Sequence, residues 1–443
     1  MFRRRIFVYN VLPGLFLALK GRIGMEGRGA HPKLTGRQRQ IMFGIVAAYT
    51  AAYLNRLNLS AALGGVMRAL NLSAAQAGLL QTAFAAVYAI GQFVNGAIAD
   101  RLSPVRHMLL GLLGTALCNL LMGFSSSYGL LTALCMANGA FQSMLWAPVV
   151  RLIALCFDTD EGRSKANFIF SFTMVAGHFG AWAISGCMVG SVGWRMSFIM
   201  PALLTLPVLA FAWAAFKAVR SVGAAREAQG NINPKRQPSR SALRLFARTG
   251  LFPILLSCVL FGFVRDGIVT WAPEILCRMM ADSALSSTAF SLIIPLINLL
   301  GILAGFRLKG MRGGNTRRII GWMLLASGAF CLPLPLARGA LSAALLMGAS
   351  CACLYGLNAL LTGLVPLEYD RAGRTGLAAG LIDSLIYAGS ALAGVLDGGI
   401  IETSGLPALN VTWAASALVG AAAMIWAGQA RFAPSKGITG SAS

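Results

Sequence analysis

Charge is what this chain has least of. Only 12% of its 443 residues are charged, and 14 are acidic. Soluble domains average about 25% charged residues, so a soluble globular class is excluded. Histidine is equally sparse, with three in the chain, and the carboxylates do not cluster, so no metal site is expected. Nine cysteines are scattered through apolar runs, an odd number with no CxxC pair. They read as small apolar residues. There is no glycine-rich phosphate loop and no nucleophile placed beside a base. Catalysis has nothing to rest on, and neither an enzyme nor a cofactor is expected.

What fills the sequence instead is apolar runs, with 57% hydrophobic residues overall. A helix needs roughly 20 such residues to cross the hydrocarbon of a bilayer. Runs of that kind fall near 41–64, 77–99, 108–125, 129–157, 167–191 and 196–217, then near 251–274, 287–306, 319–337, 340–365, 376–400 and 408–429. The expectation is an all-α membrane protein with twelve transmembrane helices. A transmembrane barrel is excluded, because its spans are about 10 residues long and alternate in polarity.

Orientation follows from the basic residues. With the N-terminus cytoplasmic, the cytoplasmic segments hold 30 of the 37 lysines and arginines. The far side holds Arg68, Arg195, Arg278 and Arg338, and Arg56, Arg151 and Arg265 fall inside spans. Both termini are therefore expected in the cytoplasm. This bias accounts for the net charge of +23, and nucleic-acid binding has no support. Residues 218–248 are polar and basic and read as a linker. The chain then divides into a basic segment 1–40, a six-helix half 41–217, the linker 218–248, a second half 249–430 and a tail 431–443. The opening "MFRRRIFVYNVLPGLFLALKGR" begins like a signal peptide but lacks a clean cleavage site. It reads either as a surface helix or as an extension ahead of a functional start at Met25.

Two halves of six spans are the arrangement of the major facilitator superfamily, with substrate held between them near the midplane. "NGAIADRLSPVRH" resembles that superfamily's signature loop: Gly96, then Asp100 and Arg101, then Arg106. There Gly96 is expected to permit close helix approach, and Asp100 to pair with arginines across the interface of the halves. "DTDEGRSKA", with Glu161 and Arg163, resembles a second loop of the same superfamily. In the matching loop of the second half, Lys309 stands where an acid is expected.

An arginine at the centre of a membrane helix costs on the order of 2.5–3.5 kcal/mol on insertion scales. Arg56 and Arg265 lie at comparable depth in spans one and seven, which are symmetry mates in a two-half carrier. They are expected to face each other across a central cavity. Asp266 adjoins Arg265, but neighbours in sequence do not share a helix face, so the two arginines together call for an anion. The guanidinium fork matches carboxylate or phosphate bidentately. Charge counting favours a phosphoryl group, with dicarboxylate and sulfate as alternatives. Arg151, near the end of span four, is expected to reach loops or headgroups.

"YTAAYLNRLN", "GAFQSMLWAPVVR", "MVAGHFGAWAISG" and "VRDGIVTWAPEIL" resemble the organophosphate:phosphate antiporter family, which includes glycerol-3-phosphate and hexose-phosphate carriers. The resemblance covers most of 41–430. It implies that Arg56 and Arg265 are phosphate-binding arginines, that His178 is a substrate-site histidine, and that Tyr49, Tyr53 and Tyr88 line the cavity. It also implies a carrier in the bacterial inner membrane, monomeric, exchanging a phosphate ester for inorganic phosphate. Leu57 and Gln92 stand where the glycerol-3-phosphate carriers have lysines, so this cavity is less basic. Asp383 is an additional carboxylate in span eleven, able to pair with an arginine or carry a proton. Two rival readings keep the fold: a proton-coupled organic-anion symporter, with Asp383 or His178 as proton site, and a transporter-like sugar-phosphate sensor.

Overall fold

A computed structural model describes residues 34–98, 102–157, 159–227, 251–280, 284–310, 315–365 and 375–429. The opening basic segment to residue 33, most of the linker, the tail, Asp100 and Arg101 lie outside the described residues. Everything below belongs to one packing unit that begins at Gly36.

The described residues form fourteen α-helices: α1 Gly36–Leu70, α2 Ala74–Ile98, α3 Pro104–Phe124, α4 Tyr128–Ser143, α5 Trp146–Cys156, α6 Asp160–Ser191, α7 Met196–Glu227, α8 Leu251–Met279, α9 Ala284–Ser291, α10 Ile293–Gly310, α11 Thr316–Cys331, α12 Ala340–Gly363, α13 Thr375–Thr403 and α14 Gly405–Gln429. They make twelve spans, because α4 with α5 and α9 with α10 are each one span with a break. Both breaks fall just ahead of a proline, Pro148 and Pro295, each in the first turn of the following helix. A proline is tolerated there because its missing N–H has no intrahelical acceptor in any case. The sixth span continues as helix to Glu227, further than the linker boundary read from the sequence.

Eleven of the spans are long and apolar enough to cross a membrane by length and composition. The twelfth, α1, has 35 residues but carries Arg56 and a ladder of asparagines. Those asparagines are buried among the other helices of the first half. Asn58 Nδ2 donates to Asn119 Oδ1 at 2.7 Å. Asn119 Nδ2 and Asn138 Nδ2 both donate to the Asn55 carbonyl, at 3.0 and 3.1 Å. Asn55 Nδ2 reaches Thr205 Oγ1 at 2.7 Å. In hydrocarbon every polar group needs a partner. This network supplies most of them, Asn55 Oδ1 being left without one among the described residues, and holds α1 in one rotation against α3, α4 and α7.

The halves meet where α2 packs on α13, α1 on α8, and α6 on α9 and α10. The α2–α13 seam runs antiparallel. It starts at Ala75 N, which donates to Glu402 Oε2 at 3.2 Å. It passes the Gly78–Gly394 crossing, where a Cβ on either glycine would overlap the other's backbone. Further along, Thr82 Oγ1 donates to the Ala391 carbonyl at 2.7 Å and Ser384 Oγ to the Ala89 carbonyl at 3.0 Å. The seam ends at Gln92, whose Nε2 donates to Asp383 Oδ2 at 2.8 Å. One turn beyond, on the same faces, stand Gly96 and Gly380, and among the described residues a Cβ on either would meet nothing within 4 Å. The helices have parted by that level. Gly96 is thus exposed and serves no close approach, contrary to the reading of its loop. Glycines that do so are Gly78, Gly394 and Gly398, at the other end of the seam.

Candidate functional site

Arg56 of α1 projects toward the second half. Its Nε donates to Gln142 Oε1 at 2.7 Å and its Nη1 to the Tyr387 hydroxyl at 2.7 Å. Gln142 is held in turn by its Nε2, which donates to the Ala52 carbonyl at 3.1 Å. The guanidinium lies over four rings: Tyr88 at 4.6 Å, Tyr53 at 5.3 Å, and Phe84 and Tyr387 at 5.7 Å. Cations within about 6 Å of a ring centroid are attracted by its quadrupole. The faces of these rings offset part of the cost of the charge. Among the described residues no carboxylate is within salt-bridge distance of Arg56.

Arg265 of α8 comes from the other side. Its guanidinium is 5.6 Å from the centroid of the same Tyr387 ring and 4.9 Å from Phe261, one turn earlier on its own helix. The expected convergence of the two arginines is therefore present, with the ring of Tyr387 as the shared element. The expectation that Asp266 stands apart is overturned. Arg265 Nε donates to Asp266 Oδ1 at 2.7 Å, and Nη2 donates to Oδ2 at 2.9 Å. Adjacent Cβ atoms diverge around a helix, but the arginine chain is long enough to fold back and present its fork edge-on. Nη1 donates to Asn358 Oδ1 at 3.3 Å, so all three nitrogens of Arg265 are engaged within the chain.

Asp383 does not pair with either arginine. Its partner is Gln92, whose Nε2 also lies 2.7 Å from the Tyr88 hydroxyl. Tyr88 is buried and its ring centroid is 4.1 Å from that of Tyr387. Arg56, Tyr53, Asp266, Asp383 and Tyr387 all keep partial exposure, so the cluster is reachable by solvent. Tyr49 sits a layer back, edge-on to Tyr53 at 5.5 Å and to Phe170 at 4.8 Å. His178 is fully buried: Nδ1 is 3.2 Å from the Tyr355 hydroxyl, the ring is edge-on to Trp182, and Nε2 has no hydrogen-bond partner among the described residues. Its neighbour Tyr355 lies one turn from Asn358, the partner of Arg265. Among the described residues His178 makes no hydrogen bond to Arg56 or Arg265, and Tyr355 links it to the helix face that carries Asn358.

The loop residues do other work. Arg106 is exposed on a groove with Leu110, Leu113 and Trp213, on the outside of the first half and away from the seam. Spacing i, i+4, i+7 puts those residues on one outward face of α3. Arg163 Nε donates to the Phe157 carbonyl at 3.0 Å, at the end of α5. Arg151 Nη1 donates to the Leu102 carbonyl at 2.7 Å, in the loop before α3. Glu161 lies in α6, with its side chain outside the described residues. No cluster of metal-ligating side chains occurs among the described residues.

Sequence reasoning missed Gln142, Tyr355, Asn358 and Tyr387 as members of the cluster. For two of them a signal existed. Tyr387 follows Asp383 by four residues and Asn358 follows Tyr355 by three, spacings that put each pair on one helix face.

A fold of twelve spans in two packed halves, with an arginine from each half where they meet, defines a membrane carrier. The chain belongs to the Major Facilitator Superfamily, whose family model matches residues 45–394. It is 25% identical over 391 residues to the membrane sensor protein UhpC of Escherichia coli, covering 81% of this chain and 84% of that one. It is 25% identical over 387 residues to the probable sulfoacetate transporter SauU of Cupriavidus necator, covering 83% and 89%. A glycerol-3-phosphate transporter of Bacillus subtilis matches at 25% over 259 residues, covering 54% and 57%. Among solved structures, a bacterial homologue of the human lysosomal transporter Spinster shares the fold, with TM-score 0.69 at 17% identity, covering 89% of this chain and 98% of that one.

Proposed function

We propose that this protein is a secondary carrier of a small organic anion, a phosphate ester above all, exchanged for inorganic phosphate by alternating access. The observation that carries the reading is the pair of guanidiniums, one from each half, on the single ring of Tyr387. An anion held there touches both halves, so its binding energy favours the state in which they close around it. Differential stabilisation of that kind is what shifts a conformational equilibrium. Relatives named for glycerol-3-phosphate and hexose phosphate support the ester class. SauU, named for sulfoacetate, supports the wider class of small oxyanions.

The helix ends that flank the lysine- and arginine-rich connections lie at the end where α2 and α13 part. By the positive-inside rule that end faces the cytoplasm, in a bacterial inner membrane with both termini inside. The arrangement is then inward-facing, sealed on the outer side along the Gly78–Gly394 crossing. Both arginines belong to one chain, so a monomer suffices.

The pairing of Arg265 with Asp266 revises the charge count. The incoming anion meets Arg56 first, whose Nη2 makes no bond among the described residues, and must then compete with Asp266 for the Arg265 fork. The test is counterflow in phosphate-loaded proteoliposomes with labelled glycerol 3-phosphate, hexose 6-phosphate and sulfoacetate outside. Accumulation of an ester that is lost in Arg56→Gln supports the reading, and absence of any phosphate-dependent uptake refutes it.

A second reading, proton-linked symport, is favoured by Asp383, a partly exposed carboxylate held by a neutral glutamine. Uptake driven by an imposed pH gradient into vesicles without internal phosphate distinguishes it. The sensor named among the relatives suggests a third; saturable ester binding without turnover in the same vesicles would favour that.

A further inference from the structure

We propose that Asp266 is a built-in counter-anion: it takes the Arg265 fork whenever no guest does, and so lets the carrier return without cargo and perform net transport as well as exchange. The inference rests on the transport reading above. Alternating access requires the halves to close around Arg56 and Arg265 during every crossing. Two bare guanidiniums on one ring would oppose that closure when no anion accompanies them, and a carrier so built is confined to exchange.

The geometry removes half of this obstacle. Asp266 meets Arg265 through two parallel contacts, Nε–Oδ1 at 2.7 Å and Nη2–Oδ2 at 2.9 Å, the grip a carboxylate guest would use. Asn358 takes the remaining Nη1 at 3.3 Å. Arg265 is 6% exposed, so its charge is compensated where compensation matters most.

Where Asp266 stands in the chain is decisive. It shares α8 with Arg265, so the pair moves as part of one helix and need not break when the halves swing. The other polar links at this level behave differently. Gln92–Asp383 joins α2 to α13, and Arg56–Tyr387 joins α1 to α13. Both cross the seam and are remade with each change of state. Asp266 also retains some exposure, 15% of its side chain, on the cluster that solvent reaches. An anion arriving there can therefore displace it. The tethered carboxylate competes with guests, weakening their binding while freeing the unloaded crossing.

Asp266→Asn keeps the shape and removes the charge. In proteoliposomes, labelled glycerol 3-phosphate is followed in two modes: counterflow against internal phosphate, and uptake into vesicles containing no anion substrate. The ratio of the second rate to the first should fall at least about tenfold in the variant, and half-saturation by external anion should shift to lower concentration. A ratio within about twofold of the parent overturns the proposal. A second readout does not depend on the substrate class. Cys277 is buried in the crevice between the halves at the sealed end, near Gly64 and Thr288, so it becomes reactive only when that end opens. In anion-free detergent solution, alkylation of the Cys277 peptide, followed by mass spectrometry, should proceed in the parent and slow at least about fivefold in Asp266→Asn. Equal rates, or no labelling in the parent, overturn the proposal. If glycerol 3-phosphate moves in neither protein, the phosphate-ester reading fails and the Cys277 rates alone decide the role of Asp266.

Discussion

Replacing Arg56 by lysine isolates what the guanidinium fork contributes. The positive charge and its place over the rings of Tyr53, Phe84, Tyr88 and Tyr387 are retained, since an ammonium is also drawn to aromatic faces. What is lost is the planar edge that now spans Gln142 Oε1 and the Tyr387 hydroxyl. A lysine nitrogen cannot hold both positions and offer a further donor pair to a guest. Each hydrogen bond to a charged group contributes about 1.5–3 kcal/mol. One lost guest contact, at about 1.4 kcal/mol per factor of ten, raises the half-saturating anion concentration roughly 10- to 100-fold. Folding should be little affected, because Gln142 keeps its own bond to the Ala52 carbonyl. The assay is phosphate counterflow with labelled glycerol 3-phosphate across a concentration series, paired with thermal unfolding in the same detergent. Half-saturation within about threefold of the parent, at unchanged stability, would show that Arg56 touches no guest, and the two-arginine reading would fall with it.

Other outcomes follow from the packing. Gly78→Val forces a branched side chain against the Gly394 backbone at the sealed end. Overpacking of this kind costs about 1–3 kcal/mol, so Cys277 alkylation should accelerate, the reverse of the Asp266→Asn effect; unchanged labelling would mean that this crossing is not the seal. Gln92→Leu leaves Asp383 without its donor at the seam, and thermal unfolding should register a loss of about 1–3 kcal/mol. Asn119→Leu leaves Asn58 Nδ2 with only the Ser197 carbonyl as acceptor and takes a donor from the Asn55 carbonyl, and should cost about 1–3 kcal/mol, with no loss expected if that network is incidental. Asp397 is fully buried, with Oδ2 accepting from Trp413 Nε1 at 3.1 Å and Oδ1 lacking a partner among the described residues. Asp397→Asn can keep the Trp413 bond and removes a buried acid, so stability should hold or rise; a clear fall would show that the acid itself is needed there.

Much of this protein could be read directly from its residues. Apolar run length and the lysine–arginine asymmetry describe how each segment meets lipid and water. Those are properties of single segments and survive without knowledge of neighbours. The twelve spans follow from them, as does the depth of Arg56 and Arg265. That the two arginines converge was also legible, because symmetry mates in a two-half fold occupy equivalent places.

The tertiary structure decided who pairs with whom. Asp266 turned from bystander to partner because a long side chain can fold back along its own helix, which residue spacing does not reveal. Gly96 lost its packing role, and Gly78 and Gly394 took it, because the seam closes at one end and parts at the other. His178 took its place from its partners, the Tyr355 hydroxyl on α12 and the edge of Trp182 one turn along its own helix. Hydropathy is a sum over residues. Pairing depends on helix rotation and side-chain reach, and those are set only when the helices pack.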